Sequence, residues 1–489
     1  MLELTDTLDV DGSPYPGIKD IEGLCLILLQ IIKGEDVEKI NGFDTVVEFV
    51  RNASWDKFSL EVQEKAKICL LDGLCAVITG GKVPVTRISS SYAKKLWPGG
   101  DEATIIRDGS RSSALGAAFV NAAAGNALDI DDGCSLIKGH PGAQLIPVAL
   151  SISEQRCKSG VDLLTALVVG YEVAIRVGYL WHKTREVYQA CGSWGAVANA
   201  ATAARLMDLN QEKIGQAIGI AEYHAPNLPM MDDIDNPSMA KHGIAWGAVT
   251  GVMAAGLAEE GFTGVPSILG DPKHLDWVKT IGKDYLFVRG VTFKHFASCL
   301  WGHPALMAAR DLMKKEKIQV KDIANIKIRG FHEMFRLGVG LPQTEEEAQF
   351  SVSWPLAALL LEGEVGPDQM LSHRFDDLAM KNLVKKMEIV EDPALEAING
   401  PGHWPAIVEI TVNNGETLVS DQVIVISGRI GDEMGPHADL WRYDDIKDKF
   451  TRFCQNIFDA NRINEIIARV DGLDQDSDIS TLVALCATQ

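Results

Sequence analysis

The sequence predicts a mainly α protein of at least two domains, one large and all-helical, the other smaller and α/β. Three observations lead there. At 489 residues the chain is longer than a single hydrophobic core organises. Between residues 43 and 264 apolar and small residues recur at helical spacing nearly throughout, with Gly or Asp at the joints. After the loop at 261–271 the pattern becomes mixed, and beyond Pro436 it returns to amphipathic helix.

Taken in order, the chain opens on an acidic, polar stretch without the basic region of a signal peptide. Its first dense apolar run, 24–32, is broken by Gln30 and too short to span a bilayer, so it reads as a helix packed on the protein or on a partner subunit. Segments 162–178 and 193–206 are apolar on almost every face, the mark of centrally buried helices. The Ala and Gly of 114–127 and 243–256 allow helix axes to approach closely. Residues 323–328 alternate as a strand does, and 406–412, Asn414-Gly415 and 417–426 read as a β-hairpin. Segments 345–361 and 376–387 between them read as helices, as do 443–458 and 461–470 at the end. The resulting division is an extension (1–42), a helical domain (43–272), an α/β domain (273–430) and C-terminal helices (431–489) that return to the helical domain.

Composition narrows the function. A net charge of −21 argues against broad binding to nucleic acid or an anionic membrane, while leaving room for a local basic pocket that takes a small anion. The nine cysteines form no CxxC pair, which reads as reduced thiols in a cytoplasmic protein. Metal-ligand spacings, a Walker loop and a strand-linked GxGxxG are all missing from the sequence, so it calls for no cofactor.

Several stretches together resemble the MmgE/PrpD family: KICLLDGLCAVITGG (67–81), NALDIDDG (126–133), GHPGA (139–143), LVVGYEVAIRVG (167–178), AKHGIAWGAVTGVMAAGLAEEGFTG (240–264), TFKHFASCLWGHPA (292–305) and EEEAQFSVSWPLAALLLEG (345–363). Each is weakly specific alone; in family order they cover nearly everything after residue 43. The resemblance implies a helical domain interrupted by an α/β lid and completed by the C-terminal helices, and a homodimer. It also implies cofactor-independent chemistry on small polycarboxylic acids, such as 2-methylcitrate dehydration, cis-aconitate decarboxylation or iminodisuccinate epimerisation. Their shared step is proton transfer at a carbon beside a carboxylate.

Asp129-Ile130-Asp131-Asp132 followed by Lys138-Gly139-His140 is the first candidate site. Three carboxylates in four residues repel one another unless they are solvated, cap a helix or meet cations. An isolated triplet of this kind is a helix end running into a polar loop; the resemblance instead places Asp129 and His140 in the active site, where His140 suits proton transfer. Lys138 is a candidate substrate contact. Lys294, beside aromatic residues, reads either as a surface lysine with its stem buried or, by the resemblance, as a carboxylate anchor in the cleft. Cys299 is either a proton donor or a small packed residue, and His303 repeats a family feature.

Two departures from the family alter the pocket. Gln189 stands where many relatives carry His, and it cannot shuttle a proton near neutrality. Met231 falls where the decarboxylases carry Lys, inside an acidic run that extends to Asp235. His224 either takes over proton transfer or fills a helix end, whereas His182, His242 and His295 read as structural or peripheral. The function expected is therefore a lyase of the dehydratase or decarboxylase type. The alternatives are an epimerase or isomerase of a small dicarboxylic acid, a non-catalytic ligand-binding relative, and an enzyme whose substrate is not a polycarboxylate.

Overall fold

A computed structural model of the protein describes residues 42–98, 100–426 and 441–488. The apolar run at 24–32 and the last residues of the expected α/β segment lie outside these. The structure is mainly helical, with short sheets.

The helical part runs through α1 (Gly42–Asn52), α2 (Leu60–Gly80), α3 (Pro84–Leu96), α4 (Ala114–Gly125), α5 (Gly142–Gln155), α6 (Gly160–Thr184), α7 (Cys191–Leu206), α8 (Gln211–Tyr223), α9 (Met230–Asp235) and α10 (Ile244–Glu259). Local signals start them: Ser59, Ser113 and Asn210 each accept a backbone N–H of the first turn, and Ser159 forms a reciprocal capping box with Asp162. Helix α6 is long and apolar enough to cross a membrane, yet nearly all of that stretch is covered by its neighbours. Its buried Glu172 and Arg176 pair one turn apart, and Glu172 also accepts the Phe287 N–H.

Helix α7 packs against α6, α8 and α10. Glycine permits this closeness: a Cβ on Gly192 would lie 2.1 Å from the Gly243 carbonyl oxygen, and one on Gly251 would lie 2.3 Å from Asn199 Cβ. The helical reading of 43–264 is interrupted by a small antiparallel hairpin, β1 (Ala103–Ile105) and β2 (Ser110–Ser112). Its signal is the Asp108-Gly109 turn, where Gly109 takes φ +66°; three-residue strands are too short to alternate visibly.

The second part carries α11 (His303–Glu316), β3 (Ile323–Gly330), α12 (His332–Leu337), α13 (Ser353–Glu362), β4 (Met387–Glu391), β5 (His403–Val412), β6 (Thr417–Val419) and β7 (Val423–Ile426). The sheet order is β4-β3-β5-β6, with β7 pairing the start of β5. Strand β3 lies parallel to β4 and antiparallel to β5, in a register that sets Ile326 opposite Ile410 and Ile328 opposite Val408. These apolar side chains are buried, and α11 packs on β5. Three sequence expectations change here, the first being that the helix read over 345–361 divides into Glu345–Gln349 and Ser353–Glu362. Residues 376–387 are helical only from Leu378 to Val384, and Met387 opens a strand. The segment 417–426 breaks at Ser420 into two short strands, because Ser420 turns to exchange hydrogen bonds with the Val408 backbone.

Helices α14 (Tyr443–Cys454) and α15 (Ala460–Asp471) pack on α2. The decisive contact is buried: Lys449 Nζ lies 2.5 Å from Asp72 Oδ1 and donates to the Ile130 carbonyl at 2.7 Å. The chain's end thereby braces the acidic run at 129–132. Eight cysteines in the described residues are free thiols.

Candidate active site

A cavity of about 240 Å³ opens where the 129–140 loop, the 292–301 segment, α9 and the start of β5 meet. Asp129, Lys138, His140, Met231, Lys294 and Cys299 all line it, so six of the nine residues singled out in the sequence share one space. His242 lines it too.

The loop and the lysine segment are fastened together by a two-bond rung: Gly133 N–H donates to Thr292 O at 2.9 Å and Thr292 N–H to Gly133 O at 2.8 Å. Lys294 thus arrives over Asp129, its buried ammonium 2.9 Å from Asp129 Oδ2 and 2.8 Å from the Asp129 carbonyl oxygen. Burial opposes ionisation of Asp129, but the ammoniums of Lys294 and Lys241 outweigh it and hold the carboxyl well below its usual range. Burial likewise works against the charge on Lys294, and the carboxylates of Asp129 and Asp131 overcome it. Both groups stay ionised.

His140 Nδ1 lies 2.6 Å from the Asp132 carbonyl oxygen and 3.2 Å from Asp131 Oδ2. Those partners only accept, so the proton belongs on Nδ1, and Nε2, 3.9 Å from Asp129 Oδ1, is the atom left for chemistry. Burial and Lys294 disfavour the imidazolium; Asp131 and Asp129 favour it more strongly, and His140 titrates above its ordinary value. Asp132 does different work. It accepts the Gly142 N–H at 2.9 Å, capping α5, and the Tyr171 hydroxyl at 2.8 Å. Burial, with Asp131 and Asp72 close by, pushes its carboxyl up to about 7.

His242, read from the sequence as structural or peripheral, is not peripheral: it stands in the cavity wall. It is buried in the left-handed region at φ +57°, its ring parallel to that of His140 within 2° at a centroid separation of 5.5 Å. Its Nδ1 lies 2.7 Å from Asp233 Oδ2, an oxygen that also accepts the His242 N–H. Burial lowers the pKa of His242 despite Asp233. The missed signal was Lys241-His242-Gly243 directly before a helix, a sharp entry with φ of +40°, +57° and +63°. Asp129 (+52°) and Lys138 (+47°) adopt the same uncommon conformation, so strained backbone gathers at this cavity.

Cys299 faces the cavity, and burial together with Asp129 pushes its thiol up to about 12, which favours the thiol over the thiolate. Lys138 stands at the exposed rim with its ammonium over the Tyr188 ring.

Three expected residues lie elsewhere. His224 ends α8 exposed, with Nδ1 3.0 Å from the Ile220 carbonyl oxygen, outside the cavity lining: it fills a helix end. Gln189 turns its amide oxygen to the Leu228 N–H (2.7 Å) and the Ser193 hydroxyl (3.2 Å), fastening the loop before α9 instead of meeting a ligand. His303 is buried against Phe296 with Nε2 3.2 Å from the Ser298 carbonyl oxygen, and burial drives its pKa down to about 3, so it packs as a neutral ring beneath the wall. The acidic run of α9 is likewise engaged: Asp233 holds His242, and Asp235 accepts Arg336 Nε at 2.9 Å.

Asp129, His140 and His242 each bring one potential ligand atom within 4.8 Å of the others, a spacing that suits a metal ion. The donor set fits one poorly, because the Lys294 ammonium already holds the position beside Asp129 that such a cation would take.

Residues 44–285 match the MmgE/PrpD N-terminal domain and residues 296–473 the MmgE/PrpD C-terminal domain. The chain is 25% identical over 469 residues to the cis-aconitate decarboxylase-like protein oryM of Aspergillus oryzae, covering 87% of this chain and 93% of that one. It is 23% identical to a cis-aconitate decarboxylase of Aspergillus terreus (90% and 94% covered) and 25% identical to the cis-aconitate decarboxylase of Homo sapiens (87% and 90%).

Proposed function

The chain belongs to the MmgE/PrpD family, and from that premise we propose that it is a lyase of the dehydratase or decarboxylase type, moving a proton at a carbon beside the carboxylate of a small acid without a metal or organic cofactor. The observation that carries this reading is the His140–His242 pair. Their environments push the two pKa values apart, so around neutrality one imidazole is the acid and the other the base. In a dehydration His242 receives the substrate proton, with Asp233 Oδ2 2.7 Å from its Nδ1. His140, backed by Asp131 and the Asp132 carbonyl, delivers a proton from Nε2 to the departing hydroxyl in a dehydration, or to the carbanion left as CO₂ departs in a decarboxylation, where no base is needed. Lys294, kept charged by Asp129, polarises the substrate carboxylate and steadies the enolate-like charge that forms. Cys299 is a second protonated group on another segment, which favours an isomerase as the runner-up.

Incubation with candidate acids in D₂O, followed by NMR and CO₂ release, tests this. Deuterium incorporation with loss of water or CO₂ supports the lyase. Incorporation with stereochemical inversion alone supports the isomerase, and no exchange in any carboxylic acid overturns both.

We also propose a cytoplasmic homodimer. Ile88, Tyr92 and Leu96 on α3 and Trp246, Met253 and Leu257 on α10 are exposed large apolar side chains at helical spacing. The two helices are neighbours, for Ser89 and Trp246 line one small cavity. A second copy of the chain covers this face.

A further inference from the structure

The charge balance and wall of the cavity point to a substrate class. Resting on the proton-transfer reading above, we infer that the substrate is a monocarboxylic acid with an apolar body, not a tricarboxylate. Among the described residues, the lysine, arginine and acidic side chains lining the cavity are two lysines, Lys294 and Lys138, and two acids, Asp129 and Glu333. They cancel. Lys294 is already matched by Asp129, and Lys138 stands at the exposed rim over Tyr188. Of the two imidazoles in the lining, burial disfavours charge on His242, so a protonated His140 is what tips the balance positive, and Asp131 lies 3.2 Å behind it. Behind the wall, Lys241 is buried with its ammonium donating to Gln349 Oε1 at 2.8 Å, and the charge it brings to bear on Asp129 is offset by the buried Asp131. A ligand with three carboxylates would bring three negative charges to a site able to neutralise about one, and like charges held together without water between them oppose binding strongly.

Most of the remaining wall is apolar, with Met230, Met231, Ile234, Leu300, Trp301 and Trp404 lining the same space beside Ser135, Tyr188 and Asn399. Such surface gains by covering hydrocarbon and loses by stripping water from a carboxylate it cannot pair. Glu333 adds to the selection, standing in the wall with Asn399 Nδ2 donating to its Oε2 at 3.3 Å. An anionic arm reaching that side meets a carboxylate. A methylene chain or a neutral donor does not.

Isothermal titration of the full chain at neutral pH, with hexanoate and cis-aconitate as probes at matched ionic strength, tests the inference. Hexanoate should bind at least about tenfold more tightly than cis-aconitate. Met231→Lys and Glu333→Gln should each narrow that ratio by improving cis-aconitate binding, with unchanged melting curves as the control for folding. Equal or tighter binding of cis-aconitate by the wild type overturns the inference, as does failure of both acids to bind at millimolar concentration. Failure of the underlying reading looks different: hexanoate binds, yet no carboxylic acid exchanges deuterium. Conversely, cis-aconitate that exchanges deuterium in the wild type but not in His140→Ala upholds the reading while defeating the substrate class.

Discussion

His140 and His242 lie ring on ring, 5.5 Å apart and parallel within 2°, each with a different aspartate at its back: Asp131 behind the first and Asp233 behind the second. Position in the fold, not sequence proximity, makes them a pair. Their opposite pKa shifts give the acid–base assignment a pH signature.

Turnover should follow a bell-shaped profile. It rises as pH climbs through the lowered pKa of His242, which must be neutral to accept a proton, and falls as pH passes the raised pKa of His140, which must be charged to donate one. His242→Asn should abolish the acidic limb, and His140→Ala should cut kcat by about 10²–10⁴-fold with the melting curve unchanged. A profile for His242→Asn identical to wild type would remove His242 from the mechanism.

Breaking the buried Lys294–Asp129 pair from one side should be costly to the fold. Lys294→Ala leaves a carboxylate without its nearest cation, for which a loss of about 3–5 kcal/mol is expected in chemical denaturation. Adding Asp129→Asn removes the stranded charge and should recover part of that stability while activity stays absent. No recovery in the double variant would mean that the lysine stem, not the charge, holds the segment.

Asp132 predicts a pH dependence of stability. Its carboxyl is raised in the folded state to about 7, so the native protein favours the protonated form. The resulting contribution is complete below the unfolded carboxyl pKa, about 4, and is lost as pH rises towards and through 7. Asp132→Asn keeps an oxygen for the Gly142 N–H and cannot ionise. Its melting temperature should therefore fall less between pH 5 and pH 8 than that of the wild type; parallel curves would refute the assignment.

The exposed stripe on α3 and α10 should be the dimer contact. Light scattering of the wild type at micromolar concentration is expected to give twice the chain mass, and Trp246→Glu combined with Met253→Glu the mass of one chain. A wild-type monomer would end the proposal.

Much of this fold could be read from the sequence because its signals are strong and local. Helices such as α6 and α7 are apolar on nearly all faces, and the Asn414-Gly415 turn announces itself, with Gly415 at φ +91°. What escaped depends on short or distant pairings: β1 and β2 are three residues long, and β4 exists through its parallel partner β3. The site divides the same way. Asp129, His140, Lys294 and Cys299 lie in motifs of one family and share a cavity. His242 shows little of its place in the sequence because the ring it stacks on, His140, is about a hundred residues away, and His224 stays open between proton transfer and a helix end because a lone histidine there carries no sign of which way it turns.

The paired backbone bonds between Gly133 and Thr292 set how the cavity can breathe. They fasten the loop holding Asp129 and His140 to the segment holding Lys294, so acid, cation and carboxylate share one hydrogen-bonded frame. Lys449 adds a strut to that frame from α14 through Ile130. The opposite wall, with α9 and with Asn399, Gly400, Pro401 and Trp404 at the start of β5, is not tied by that rung. Entry and exit can be tuned on that wall without disturbing the geometry that performs the chemistry.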